Sequence, residues 1–155
     1  MNEDQINRLP PDVKKQFLKY ALKLSEKKTK TKVHDDFMTF VKHVWPEFIE
    51  GRHHKEIAEK FNQIARGEIK RLIINMPPRH TKSEFASFLL PSWMVGRKPN
   101  LKIIQTTHTT ELAIRFGRKA KTLMDSQEYK QVFSTRLRED SQAAGKWETE
   151  QGGEY

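Results

Sequence analysis

Two short apolar runs constrain the fold of this chain more than any other feature of its sequence. Residues 72–76 form a nearly continuous, β-branched run that stops at two prolines, and residues 101–104 have the same character. Such runs are typical of strands buried on both faces of a sheet. About 25 residues separate them, too many for a hairpin but enough for a helix, so the pair predicts a right-handed βαβ crossover.

Helical periodicity predicts the elements around these strands. Apolar residues recur at helical spacing in five further segments, and a sixth, short helix is expected: residues 12–28, 35–45, 53–66, 83–95, 109–123 and 127–133. Asp12, Gly67 and Thr109 or Thr110 are placed as caps, and Pro91 should kink or shorten its helix. Residues 27–32 are expected to be an exposed linker, and the chain's last residues one strand entering a Gly-Gly turn. The alternation of strand and helix predicts an α/β fold with a parallel sheet.

Composition narrows the possible functions. Lys and Arg outnumber Asp and Glu by 29 to 20, which gives a net charge of +9 and favours polyanionic partners, nucleic acid first. The absence of cysteine excludes disulfides, zinc-thiolate sites and a thiol nucleophile. No apolar run approaches the roughly 20 residues of a membrane span, and the N-terminus has neither a signal peptide nor a lipidation motif. We therefore expect a soluble, cytoplasmic protein with no membrane partner.

The segment MPPRHTKS, residues 76–83, lies where a phosphate-binding loop would lie, between a strand and a helix. In the pattern G-x-x-x-x-G-K-[ST], Lys82 and Ser83 fit, whereas Met76 and Thr81 replace the two glycines. The prolines have no N–H, so the amides after them would hold the phosphates. Thr81 implies a somewhat different loop path, because a β-branched residue resists the backbone angles that glycine accepts.

The side chains of this loop suit phosphate chemistry. Lys82 adds a mobile positive charge, Arg79 could reach a γ-phosphate with bidentate hydrogen bonds, and Ser83 would supply one ligand to a magnesium ion. The alternative is a strand, a Pro-Pro turn and a helix start with incidental charges.

The sequence "LIINMPPRHTKSEFASFLLPSWMVGRKPNLKIIQTTHTTELAIRFGRKAK" resembles the N-terminal ATPase domain of tailed-bacteriophage terminase large subunits, the motors that pump DNA into empty capsids. That family typically writes its loop as Pro-Pro-Arg-His-Gly-Lys-Ser, from which this chain departs only at Thr81. The resemblance runs from about residue 37 to the end. It implies an α/β P-loop NTPase (RecA-like) fold with a parallel-sheet core, preceded by N-terminal helices.

The resemblance also implies a site for ATP and Mg²⁺. Lys82 would contact the β and γ phosphates and act in catalysis with Arg79, while Ser83 would hold the magnesium. His54 lies in the segment where such domains recognise the adenine edge. The expected cofactor-binding residues are Pro78, Arg79, His80, Thr81, Lys82, Ser83 and His54.

The partners implied by the resemblance are double-stranded DNA, the portal and the small terminase subunit, with the motor forming an oligomeric ring on the capsid in the cytoplasm of the bacterial host. The helix after the second strand would contact DNA phosphates through Arg115, Arg118 and Lys119. The alternative function is that of a basic nucleic-acid-binding module whose loop is vestigial and does not turn over ATP.

We expect two regions: residues 1–34, a basic N-terminal helix and linker, and residues 35–155, a partial P-loop ATPase domain. No apolar run after Ser83 ends in Asp or Glu, so the acidic Walker B strand is absent, as are the second arginine ahead of that strand and the nuclease domain that the family places beyond it. We therefore expect an N-terminal portion, incomplete at its C-terminus, of a protein that is an ATPase at full length. By itself it should bind nucleotide poorly and hydrolyse it slowly or not at all.

Overall fold

The structure is a computed structural model that describes residues 10–143 and 145–155. It is 60% helical. The helices are α1 (Pro11–Asp35), α2 (Phe37–Val44), α3 (Arg52–Arg66), α4 (Lys82–Glu84), α5 (Leu90–Arg97), α6 (Thr110–Asp125) and α7 (Gln127–Val132), and the strands are β1 (Leu137–Ala143) and β2 (Lys146–Thr149). A π-helical turn, Phe85–Leu89, joins α4 to α5.

The core is built around Phe37, the first residue of α2. Three aromatic rings from three other elements contact its ring edge-on, with centroids 5.0 to 5.5 Å away: Phe61, Phe85 and Trp93. Edge-to-face pairs of this kind add to the stabilisation from apolar burial. Phe37 therefore packs α3 and the helical segment after the loop against one another.

A buried amide fixes the start of α2. The Asp36 carboxylate accepts the Thr39 N–H at 2.7 Å and so caps the helix. Asn62, on α3, accepts the Phe37 N–H at 2.8 Å and donates to the second oxygen of Asp36 at 2.8 Å. The two helices are thus joined by hydrogen bonds directly beside the aromatic core.

Residues 82–97 form one continuous helical rod with a change of pitch in the middle. Pro91 has no N–H to donate, and the Leu90 N–H bonds the Phe85 carbonyl five residues back. The Ser92 hydroxyl donates to the carbonyl of Phe88 at 2.8 Å. The π turn accommodates the proline that the sequence places here, and it does so without ending the helix.

The predicted fold class, an α/β P-loop NTPase with a parallel-sheet core, is wrong. In the described residues the sheet is two antiparallel strands, β1 and β2, and parallel pairing is limited to one bridge between Lys102 and Glu154. Residues 71–76 have no assigned secondary structure, and their N–H groups make no backbone hydrogen bond to any described residue. The two strands predicted from the apolar runs at 72–76 and 101–104 are therefore not formed, apart from the bridge at Lys102.

Burial also differs from the prediction for these two segments. Alternate residues of the first pack on the core, among them Leu72 and Ile74, but Ile73 is 85% exposed. In the second segment Ile103 packs on the core and Ile104 is 90% exposed. One face of each segment is therefore covered and the other is open, whereas the sequence pattern predicted burial on both faces.

The chain's last residues fold back on β2. Gly152 adopts φ +83°, and the Tyr155 N–H then returns to the Trp147 carbonyl at 3.0 Å. The Trp147 and Tyr155 rings stack with centroids 4.7 Å apart. The predicted strand and Gly-Gly turn are confirmed, but β1, which pairs with β2, was not predicted.

Local signals predicted the helix ends better than the sheet. Gly67 ends α3 in the left-handed conformation, and the Thr109 side chain caps α6, both as predicted. The predicted linker at residues 27–32 is wrong because α1 continues to Asp35. Asp12 lies in the first turn of α1, but its side chain does not cap the helix.

We predict that Asn62→Leu destabilises the protein by about 1 to 3 kcal/mol, because it leaves the buried Phe37 N–H without an acceptor. Lys60→Ala, on the exposed side of the same helix, should change the free energy of unfolding by less than about 0.5 kcal/mol. Urea denaturation measures both. Equal costs for the two variants would contradict the role given to Asn62.

Candidate functional site

The loop between residue 76 and α4 has an unusual backbone. Arg79 and Thr81 adopt φ of +64° and +57°, the only non-glycine residues with positive φ in the described chain. Left-handed residues alternating with right-handed ones turn successive amides to one side, which makes a concave nest for anions. Every residue from Pro77 to Glu84 lines a single cavity of about 300 Å³.

The left-handed conformation of Thr81 is compensated by hydrogen bonds. A β-branched residue with positive φ costs roughly 1 to 3 kcal/mol. The Thr81 hydroxyl donates to the His80 carbonyl at 2.7 Å and accepts from Nε2 of His54, on α3, at 2.6 Å. The strained loop is thereby bonded to a core helix.

The hydrogen bonds of His54 define its tautomer. Its Nδ1 accepts the Gly51 N–H at 2.9 Å, so Nδ1 carries no proton and Nε2 carries the one donated to Thr81. Burial lowers the pKa of His54, and the neighbouring His53 and His80 lower it further, while Glu50 raises it. All of these contacts favour the neutral ring except that with Glu50.

The charged residues predicted for the site lie together. The Lys82 ammonium donates to the Met76 carbonyl at 3.4 Å, across the mouth of the loop. Arg79 and Ser83 are exposed and have no hydrogen-bond or ion-pair partner among the described residues. The His80 Nδ1 donates to the Pro78 carbonyl at 2.9 Å and closes the turn. The loop thus presents two cations and a hydroxyl at one cavity.

The structure gives His54 a different environment from the one expected of an adenine-recognising residue. Only 7% of its surface is exposed, and both ring nitrogens are engaged within the protein. Sequence reasoning missed its bond to Thr81. The available signal was Thr81 itself, because a threonine in a glycine position needs a compensating partner.

The three residues predicted to contact nucleic acid separate into two groups. Lys119 is half-buried, and both oxygens of Glu84 accept its ammonium protons at 2.7 and 2.8 Å. Arg115 and Arg118 are exposed and line a second cavity of about 530 Å³ with the start of α6. Lys119 thus joins α6 to the loop helix, while the two arginines remain available to an anion.

In the part of the chain that the structure describes, no group of three or more His, Cys, Asp or Glu side chains could hold a metal ion. The magnesium site at Ser83 stays a prediction, in which the hydroxyl would supply one ligand and the phosphates others. The Nε2 atom of His53 is buried without a hydrogen-bond partner among the described residues.

Compared with known proteins, the chain matches no protein-family model, no curated protein and no solved structure. None of the helices in residues 10–143 and 145–155 combines the length and apolar character that crossing a membrane requires.

We predict that acid weakens the attachment of the loop. The folded state holds His54 neutral, so the unfolded state binds the additional proton, and stability falls as the pH drops below the ordinary histidine value of about 6.5. One such proton changes the free energy of unfolding by up to about 1.4 kcal/mol per pH unit. Denaturation between pH 7.5 and 5 measures this slope, which should shrink in His54→Gln and persist in His108→Gln, at an exposed position.

We predict that Thr81→Val destabilises the protein more than Thr81→Gly, by roughly 1 kcal/mol. Both lose the bond to His54, but only glycine relieves the left-handed strain. Thr106→Val, at an exposed site, is the control for the change of side chain. Thermal or urea unfolding gives the order, and a more stable valine variant would contradict this account of the loop.

Proposed function

We propose that residues 77–84 bind the triphosphate of ATP together with Mg²⁺. The observation that carries the proposal is the left-handed backbone at Arg79 and Thr81, a conformation that anion-binding nests use, at a cavity that Lys82 also lines. Glycine normally supplies such backbone angles, yet this chain adopts them with two other residues and stabilises Thr81 through His54. A turn whose charges were incidental would gain nothing that offsets the energetic cost of these backbone angles.

Each charged or hydroxyl side chain of the loop would contact a different part of the nucleotide's phosphates. Lys82 leaves the Met76 carbonyl, a long and weak hydrogen bond, and takes a charge-assisted bond with the β and γ phosphates. Arg79 reaches the γ-phosphate from the exposed side of the loop. Ser83 contributes its hydroxyl to the magnesium ion bridging two phosphates.

We infer binding without efficient hydrolysis by these residues alone. Hydrolysis needs a group that orients or deprotonates the attacking water. Glu84 is the carboxylate on the first turn after the loop, and Lys119 holds both of its oxygens. The site therefore has residues for nucleotide binding but no free carboxylate within the loop.

The biological role that we propose is the ATP-binding portion of a DNA-packaging motor of the terminase large-subunit class, an ATPase that couples ATP hydrolysis to DNA translocation into the capsid in the host cytoplasm. This part of the proposal depends on the resemblance of residues 72–121 and on the basic charge of the chain. Exposed Arg115 and Arg118 are available for the DNA backbone. The portal, the small terminase subunit and a ring of copies are the further partners.

We predict that wild-type protein binds ATP only with Mg²⁺ and that Lys82→Ala lowers the affinity at least tenfold, because the phosphates lose their principal charge partner. Lys98→Ala removes the same charge from an exposed turn and should leave affinity unchanged. Isothermal titration calorimetry measures the affinity, and binding of duplex DNA at low salt should be the same for all three proteins.

The alternative, a basic nucleic-acid-binding module, gives a different result. It would bind DNA in a salt-dependent way, show no Mg²⁺-dependent ATP binding at millimolar nucleotide, and be insensitive to Lys82→Ala. In that case Arg115→Ala and Arg118→Ala would each reduce the salt dependence of DNA binding by about one phosphate contact.

A further inference from the structure

Helix α1 lies mostly outside the core. Between Pro11 and Lys32 none of its residues is buried, and it is joined to the core near its end, where the Trp93 ring N–H donates to the Val33 carbonyl at 3.2 Å. Of the nine exposed large apolar side chains in the described residues, five lie on this helix: Val13, Leu18, Tyr20, Leu22 and Leu24. A helix with so little core contact gains little stability from packing.

Four apolar residues of α1 form a stripe along one side. They stand at positions i, i+4, i+7 and i+11, the spacing of anchors by which an amphipathic helix enters a groove: Val13, Phe17, Tyr20 and Leu24. The stripe is about 16 Å long at the helical rise of 1.5 Å per residue. Thr31 and Lys27 continue the same side, so the apolar stripe ends after three turns.

The residues that flank the stripe determine its partner. In a paired helix of this spacing, the flanking positions are those that face charges on the other helix. Along the stripe none of the four flanking residues is acidic and two are lysines: Lys14, Gln16, Ala21 and Lys23. Lys28 and Lys30 continue the two flanks beyond Leu24. Lys23, Lys28 and Lys30 form no ion pair with any described residue.

We propose that α1 is a docking helix that inserts its apolar stripe into a groove on a partner protein whose rim carries carboxylates. A second copy of α1 is a poor occupant because the flanking lysines would face lysines. Nucleic acid would pair with the lysines but leave Phe17 and Tyr20 in water. A helix that lies on a bilayer surface needs a broad apolar face, whereas this stripe is limited by Lys27 and Lys28.

The test uses the full chain and two synthetic helical peptides. Both have leucine at the paired positions, and their flanking positions carry glutamate in one and lysine in the other. The chain should bind the acidic peptide saturably, at least tenfold more tightly than the basic one, in fluorescence anisotropy. Phe17→Ser should reduce this affinity at least tenfold, and Leu22→Ser, on the opposite side of the helix, should change it less than twofold.

Several results would overturn the proposal. Equal binding of the two peptides, or equal effects of Phe17→Ser and Leu22→Ser, would show that the apolar stripe takes no part in binding. Displacement of the bound acidic peptide by a 20-base-pair duplex, or by phosphatidylserine vesicles, would assign the helix to nucleic acid or to a membrane surface instead. ATP affinity of Phe17→Ser should equal that of the wild type, so failure here is distinguishable from failure of the nucleotide site.

Discussion

The hydrogen bond from His54 to Thr81 connects the strained loop to the folded core, and the candidate site depends on it. Without a fixed partner, a threonine in the left-handed conformation would return to ordinary backbone angles. The bond is available because His54 is buried between Phe48 and Phe85, whose ring centroids lie 4.8 and 5.2 Å from its own. Phe85 in turn packs against Phe37, so the aromatic core and the loop are one connected structure.

Sequence predicted the features that depend on neighbouring residues. The cap at Thr109, the left-handed Gly67 and the helical stripe of α2 follow from side chains within a few positions of one another. The pairing of the two apolar runs could not be predicted in the same way, because it depends on distant segments. Strand β1 lies next to β2 in the chain, but its sequence, LREDSQA, has no alternating apolar pattern that would mark it as a strand. Residues 71–76 have the composition of a buried strand, yet no described segment supplies backbone hydrogen bonds to them.

In the candidate site, too, local features could be predicted from the sequence and long-range contacts could not. The loop's lysine, arginine and serine could be identified from their spacing, and they do line one cavity. The roles of His54 and Lys119 could not, because each depends on a contact across more than 25 residues: His54 with Thr81 and Lys119 with Glu84. The fold class predicted from the sequence is wrong, but the observed geometry of the loop does not depend on that prediction.

The π turn after the loop determines which way the side chains after it face around the helix axis. One residue more than an α-helix needs is wound into Phe85–Leu89, so the two ends of the rod are offset by about 100° from a regular helix. With that offset, Phe85 and Trp93 both face the ring of Phe37. If the same residues were rewound as a regular α-helix, the indole would turn by about 100° around the helix axis and leave the core, whereas loss of one residue from the turn would keep Phe85 and Trp93 on the same side.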